Sequence, residues 1–105
     1  MKPARLRPGA ERDLVEMAHY YSQAGGMGLG ERGFDAAVTA LEQIQRMPKM
    51  GSLRLGQLCD IPLLRSWRVK GFPMQWLYFE AEDHLDVVRL LGDRQDIVAI
   101  LGNHH

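Results

Sequence analysis

The side chains able to carry chemistry are few and scattered. Cys59 is the single cysteine, and no base is visibly placed to activate it, so it is read as an ordinary small residue in a reducing compartment. A metal needs clustered ligands, but His19, His84, His104 and His105 stand far apart except for the terminal pair. That pair is as readily the remnant of a purification tag. Serine occurs at Ser22, Ser52 and Ser66 with no Gly-x-Ser-x-Gly elbow around any of them. The glycine-rich run from Gly25 to Gly33 follows a helical pattern instead of linking a strand to a helix, so it is expected to be a flexible turn and not a phosphate cradle. Neither a metal nor a cofactor is expected, and no residue is assigned a catalytic role.

What remains is cationic. Arg65, Arg68 and Lys70 fall on one strand pattern, with Arg89 two strands further on. Clustered guanidinium groups suit phosphates or an acidic polypeptide. Equally, such residues protect a sheet edge from unwanted pairing, and both readings stand at this point. The formal charge sums to zero, which argues against a general nucleic-acid coat protein, yet the charge is segregated. Residues 43 to 79 carry Arg46, Lys49, Arg54, Arg65, Arg68 and Lys70 against Asp60, whereas residues 80 to 105 carry six acids against Arg89 and Arg94.

The elements that must position these groups follow from hydrophobic periodicity. Ala4 and Leu6 alternate with Arg5 and Arg7 between two prolines, the pattern of a short edge strand. Ala10, Leu14, Met17, Ala18 and Tyr21 then share one helical face over roughly four turns. A connection is expected at 25–28, followed by a second helix with Phe34, Ala37, Val38, Leu41 and Ile44 as its stripe and Pro48 and Gly51 at its exit. Residues 51 to 62 are expected as a loop. Leu64 to Lys70, Met74 to Ala81 and Leu85 to Leu91 read as three strands of an antiparallel meander, the middle one apolar on both faces. Alternation turns Trp67 and Phe79 inward, as helical spacing does Phe34 and Leu41. Asp93 is expected to cap a last short helix lined by Ile97, Ile100 and Leu101.

The expected fold is thus α+β in the order β-α-α-β-β-β, a helical hairpin packed on one side of a largely antiparallel sheet, with a short C-terminal helix. With 105 residues and 46% apolar side chains, residues 1–105 are expected to form one domain. The apolar runs are too short to cross a bilayer and the N-terminus lacks a signal-peptide pattern, so a cytoplasmic location is expected.

Nearly the whole chain resembles the RelE/ParE superfamily of bacterial toxins, and within it the ParE branch. The stretches that carry the likeness are Ala10 to Tyr21, Leu41 to Pro48 with Gly51 after it, Leu64 to Pro73, and Arg89 to Ile97. Gly92 stands where many relatives have histidine, and Gln95 where many have arginine. The resemblance implies a type II toxin silenced by a cognate ParD-like antitoxin with an acidic C-terminal tail. It makes Arg65, Arg68, Lys70, Arg89 and Arg94 candidates for binding antitoxin or target. RelE-like members cut messenger RNA on the ribosome; ParE-like members poison DNA gyrase. RNA cleavage needs groups to take and return protons, and after the last strand only His104 and His105 offer them. The expectation is therefore a non-enzymatic gyrase inhibitor without direct sequence-specific nucleic-acid binding. A ribosome-dependent endoribonuclease and a non-toxic binding module on the same fold are the alternatives.

Overall fold

The structure, a computed structural model, describes residues 1–102. Strand β1 (Ala4–Leu6) leads directly into helix α1 (Pro8–Gly25), whose first helical position is proline, where a missing N–H and a fixed φ cost nothing. Helix α2 (Met27–Arg46) follows after a joint of one residue. Gly26 holds φ +91°, a left-handed backbone that glycine adopts freely; its N–H closes α1 on Ser22 O at 2.9 Å, and its carbonyl opens α2.

The glycine-rich run is therefore not a flexible turn. Gly28, Gly30 and Gly33 lie inside α2, and Gly30 and Gly33 are buried against α1. A Cβ at Gly30 would collide with Ser22 Oγ and come within 2.7 Å of Ala18 O. These glycines let two helices approach closely. For the same reason α2 turns its small face inward: Gly30, Gly33, Ala37, Ala40, Leu41 and Ile44 are buried, while Phe34 is 40% exposed, against expectation.

After a 3-10 turn at Pro48–Met50, the stretch expected as loop contains a short helix, α3 (Arg54–Leu58). Then come β2 (Arg65–Arg68), β3 (Met74–Glu80), β4 (Leu85–Gly92) and α4 (Ile97–Gly102). The described residues form a four-stranded sheet in the order β1-β4-β3-β2. β1 runs parallel to β4, and β4, β3 and β2 form the expected antiparallel meander.

Both faces of the sheet are covered, so the helices are not all on one side. Trp76, Tyr78, Leu85, Val87 and Leu90 pack with Ala10, Ala37, Ala40, Leu41 and Ile44 of the hairpin. On the other face Leu77 and Leu91 pack with Cys59, Leu64 and Leu101, flanked by Leu55, Ile61, Phe79, Ile97 and Ile100. β4 serves both cores through a bulge. Tyr78 pairs with Val87 and Leu77 with Arg89, which leaves Val88 as the extra residue and resets the alternation before Leu90.

Buried polar groups of the central strand are satisfied by the hairpin and its exit. Trp76 Nε1 donates to Ala37 O at 2.9 Å. The Tyr78 hydroxyl donates to Pro48 O at 2.6 Å and accepts from Gly51 N at 3.1 Å, and burial raises its pKa above the ordinary phenol value. Trp67 and Phe79 turn inward but are only half-buried, so the largest fully buried rings are Trp76 and Tyr78. Asp93 does not cap α4; Asp96 does, accepting from Ala99 N at 3.1 Å, because Asp93 is engaged by an arginine. His104 and His105, the candidates for proton transfer, lie outside the described residues. Among those described, no helix is long and apolar enough to cross a membrane.

Candidate functional site

The five candidate cations do not share a surface. Neighbouring residues of a strand face opposite ways, so Arg65, opposite Tyr78, lies on the hairpin side, while Arg68, opposite Gln75, lies on the other. Arg65 Nη1 donates to the carbonyls of Lys49 and Gly51 at 3.0 and 2.8 Å, fastening the 3-10 turn to the sheet. Arg68 makes a two-pronged pair with Asp93 at 3.1 and 2.7 Å. That hydrogen bond holds the Asp93 carboxyl below its ordinary pKa, against a smaller opposing effect of burial.

Arg89 is clasped by Asp13 of α1 at 2.6 and 2.9 Å, and its pKa is raised by that contact. Lys70 and Arg94 are exposed and form no ion pair among the described residues. The basic middle of the sequence is thus partly neutralised by acids from distant positions. Lys49 and Lys2 share Glu80 at 3.0 and 2.9 Å, and together they lower its pKa.

A continuous feature nonetheless runs beside β2. Its outer edge is closed at Ser66, which exchanges two 2.9 Å backbone hydrogen bonds with Ser52. The next outward-facing residue of an antiparallel ladder is Arg68, and among the described residues no partner meets its N–H and C=O. Next to this open edge lies a groove of about 560 Å³, floored by Met50, Leu55, Leu58 and Trp67, with Arg54 and Arg68 on its rim. Leu58 is 69% exposed there. The Arg54 guanidinium has no ion-pair partner among the described residues.

Arg54, Met50, Leu55 and Leu58 were not singled out from the sequence as binding residues. They sit in the stretch read as loop, where the spacing of Leu55 and Leu58 was the available sign of a helical turn. Among the described residues, chemistry of other kinds is not assembled. His19 contacts Gln23 and His84 contacts Asp83, each locally, and Cys59 is buried in the second core. Among the described residues no group of three metal-binding side chains occurs.

No protein-family pattern matches the sequence, and no curated protein matches it. A solved structure does. A chain from the chromosomal ParDE TA system of P. aeruginosa superimposes with a TM-score of 0.73 at 15% identity, covering 88% of this chain and 96% of that one. The likeness is one of fold. It extends over almost the full length of both chains.

Proposed function

We propose that this protein is a ParE-type toxin of a type II toxin–antitoxin system, acting in the cytoplasm as a protein inhibitor of DNA gyrase and silenced by a ParD-like antitoxin. The observation that carries this reading is the fold likeness, over 88% of this chain, to a chain of a ParDE system. It agrees with the likeness of the four sequence stretches. The groove beside β2 supports the antitoxin part. An extended segment adding to the open edge at Arg68 would gain main-chain hydrogen bonds, and its apolar side chains would fill the floor made by Met50, Leu55 and Leu58. Arg54 and Lys70, which have no ion-pair partner among the described residues, call for acids on that segment, and with Arg68 they oppose edge-to-edge pairing of two copies of this chain.

The arrangement of cations favours gyrase inhibition over RNA cleavage. A phosphate undergoing cleavage is held by cations converging on one point. Here Arg65 and Arg68 lie on opposite faces, and Arg65, Arg68 and Arg89 are each occupied by internal acceptors. The test is direct: purified protein should inhibit gyrase supercoiling and leave ribosome-bound messenger RNA intact. Specific RNA cuts with gyrase unaffected would establish the endoribonuclease alternative instead. A folded sample inactive in both assays, yet captured by the antitoxin encoded beside it, would make the chain a non-toxic binding module.

A further inference from the structure

Arg94 is left over by the groove, and it opens onto a different concavity. Between α1, the β2–β3 turn and the β4–α4 turn lies a pocket of about 540 Å³, within the range of about 300–1,000 Å³ usual for ligand sites. Its apolar lining comes from Met17, Tyr20, Tyr21, Met74 and Leu90. The rings are braced edge to face, Tyr20 on Tyr21 at 5.2 Å and Tyr21 on Phe72 at 5.1 Å.

The polar groups of the wall show what a ligand must bring. Both oxygens of Asp13 are engaged by Arg89, and both oxygens of Asp93 by Arg68. The Gln95 Oε1 accepts from Gly92 N at 2.7 Å. Glu16 and Arg94 remain as the charged groups of the lining with no ion pair among the described residues. Arg94, with its five donors, wants an anion. Burial and Tyr20 raise the Tyr21 phenol pKa while Arg94 opposes them, which fits a guanidinium near that ring.

The backbone N–H groups of the wall are already engaged. Leu90 N is taken by Asp13, Gly92 N by Gln95, Asp93 N by Pro73 O and Met74 N by Phe72 O. A passing peptide would find no free N–H of these four residues for its own C=O groups. A chain end carries its anion and its side chain on one residue and needs a single exit. A nucleic-acid strand fits poorly, because it rewards several cations and this wall offers one beside Glu16.

We propose that this pocket captures the free C-terminal carboxylate of a partner polypeptide whose last residue is aromatic or large and aliphatic, with the carboxylate on Arg94 and the side chain against Tyr20, Tyr21 and Met17. The proposal does not depend on the toxin reading. It is tested by calorimetry on the full chain with the peptide acetyl-Gly-Gly-Phe as free acid, as C-terminal amide, and with a single-stranded dinucleotide. The acid should bind about tenfold more tightly than the amide, the usual reach of a charge-assisted contact. Arg94→Gln should erase that difference, Tyr20→Ala should weaken acid and amide alike, and Glu16→Gln should tighten the acid alone. Arg32→Gln, on the exposed side of α2, serves as the control for general charge and should change nothing. Equal binding of acid and amide to the parent protein, a preference that survives Arg94→Gln, binding of the dinucleotide in place of the peptide, or no binding at millimolar peptide would each overturn the proposal.

Discussion

Asp13 on α1 and Arg89 on β4 form a two-pronged pair at 2.6 and 2.9 Å, and the same Asp13 Oδ2 accepts the Leu90 N–H at 3.0 Å. One carboxylate thus satisfies a cation and a backbone donor on β4 beyond the point where the short β1 stops pairing at Val87. Only 10% of its side chain is exposed. Removing it leaves three donors, two on the guanidinium and one on the backbone, without their acceptor in a partly dry place. Asp13→Ala should cost about 2 to 4 kcal/mol in denaturant unfolding, and Asp13→Asn, which keeps the shape without the charge, should cost less. Equal and negligible losses would show that water replaces the carboxylate.

The buried rings allow a sharper comparison. Trp76 is fully buried with its N–H on Ala37 O, whereas Trp67 is half-buried and bonds Gln43 at 2.9 Å. Trp76→Ala should therefore cost about 3 to 5 kcal/mol and threaten folding outright. Trp67→Ala should cost distinctly less, measured by the same denaturant titration. The reverse order would mean that β2 and not β3 centres the core.

Much of this architecture was legible because it rests on short-range patterns. The two-sided apolar run of β3 predicted an interior strand, and Trp76 and Tyr78 do face one core while Leu77 faces the other. What the pattern could not carry was tertiary. The bulge at Val88 has no local signature. Phe34 matched the helical stripe, yet packing against α1 rewards the smaller Gly33 and Ala37. Asp93 suited a cap, but the pair with Arg68 competes for it. The basic strip was legible as charge along the chain; which cations stay unpaired depends on acids far away in sequence.

The glycines of α2 give a test that separates packing from flexibility. In an isolated helix, Gly→Ala is worth up to about 1 kcal/mol in favour of alanine. At Gly30 the new methyl would meet Ser22 Oγ and Ala18 O, so Gly30→Ala should instead destabilise by about 1 to 3 kcal/mol. Gly28, whose added Cβ would meet only the Arg32 side chain at 3.4 Å, should accept alanine with a gain. Thermal melts of the two variants should move in opposite directions.

Acid sensitivity follows from the surface clasps. Arg68 lowers the pKa of Asp93, Arg7 that of Asp86, and Lys2 with Lys49 that of Glu80. A carboxyl depressed in the folded state contributes stability that is complete above its unfolded value, about 4, and is lost as pH falls through the folded value. Stability should hence be flat near neutrality and decline below about pH 4. Asp86→Asn and Asp93→Asn should each make that decline shallower. An unchanged acid limb in the double variant would assign the acid response elsewhere.

The antitoxin surface yields the last expectation, and the pairing of Arg68 alters how it must be tested. Replacing Arg68 by glutamate would set a second acid beside Asp93 and disturb the fold as well as the surface. Arg54 and Lys70 are free of that confusion, since neither has an ion-pair partner among the described residues. If an acidic tail docks along the open β2 edge, these two charges steer its approach, and steering is felt in the association rate and its salt dependence. The double variant Arg54→Glu with Lys70→Glu should slow association of the antitoxin encoded in the neighbouring reading frame by about tenfold at low salt, with a flattened salt dependence. Leu58→Asp, which spoils the apolar floor, should instead speed dissociation. Stopped-flow mixing resolves the two effects. Unchanged rates in the charge variant would leave the positive rim to the target, and unchanged dissociation in Leu58→Asp would move the antitoxin away from this groove altogether.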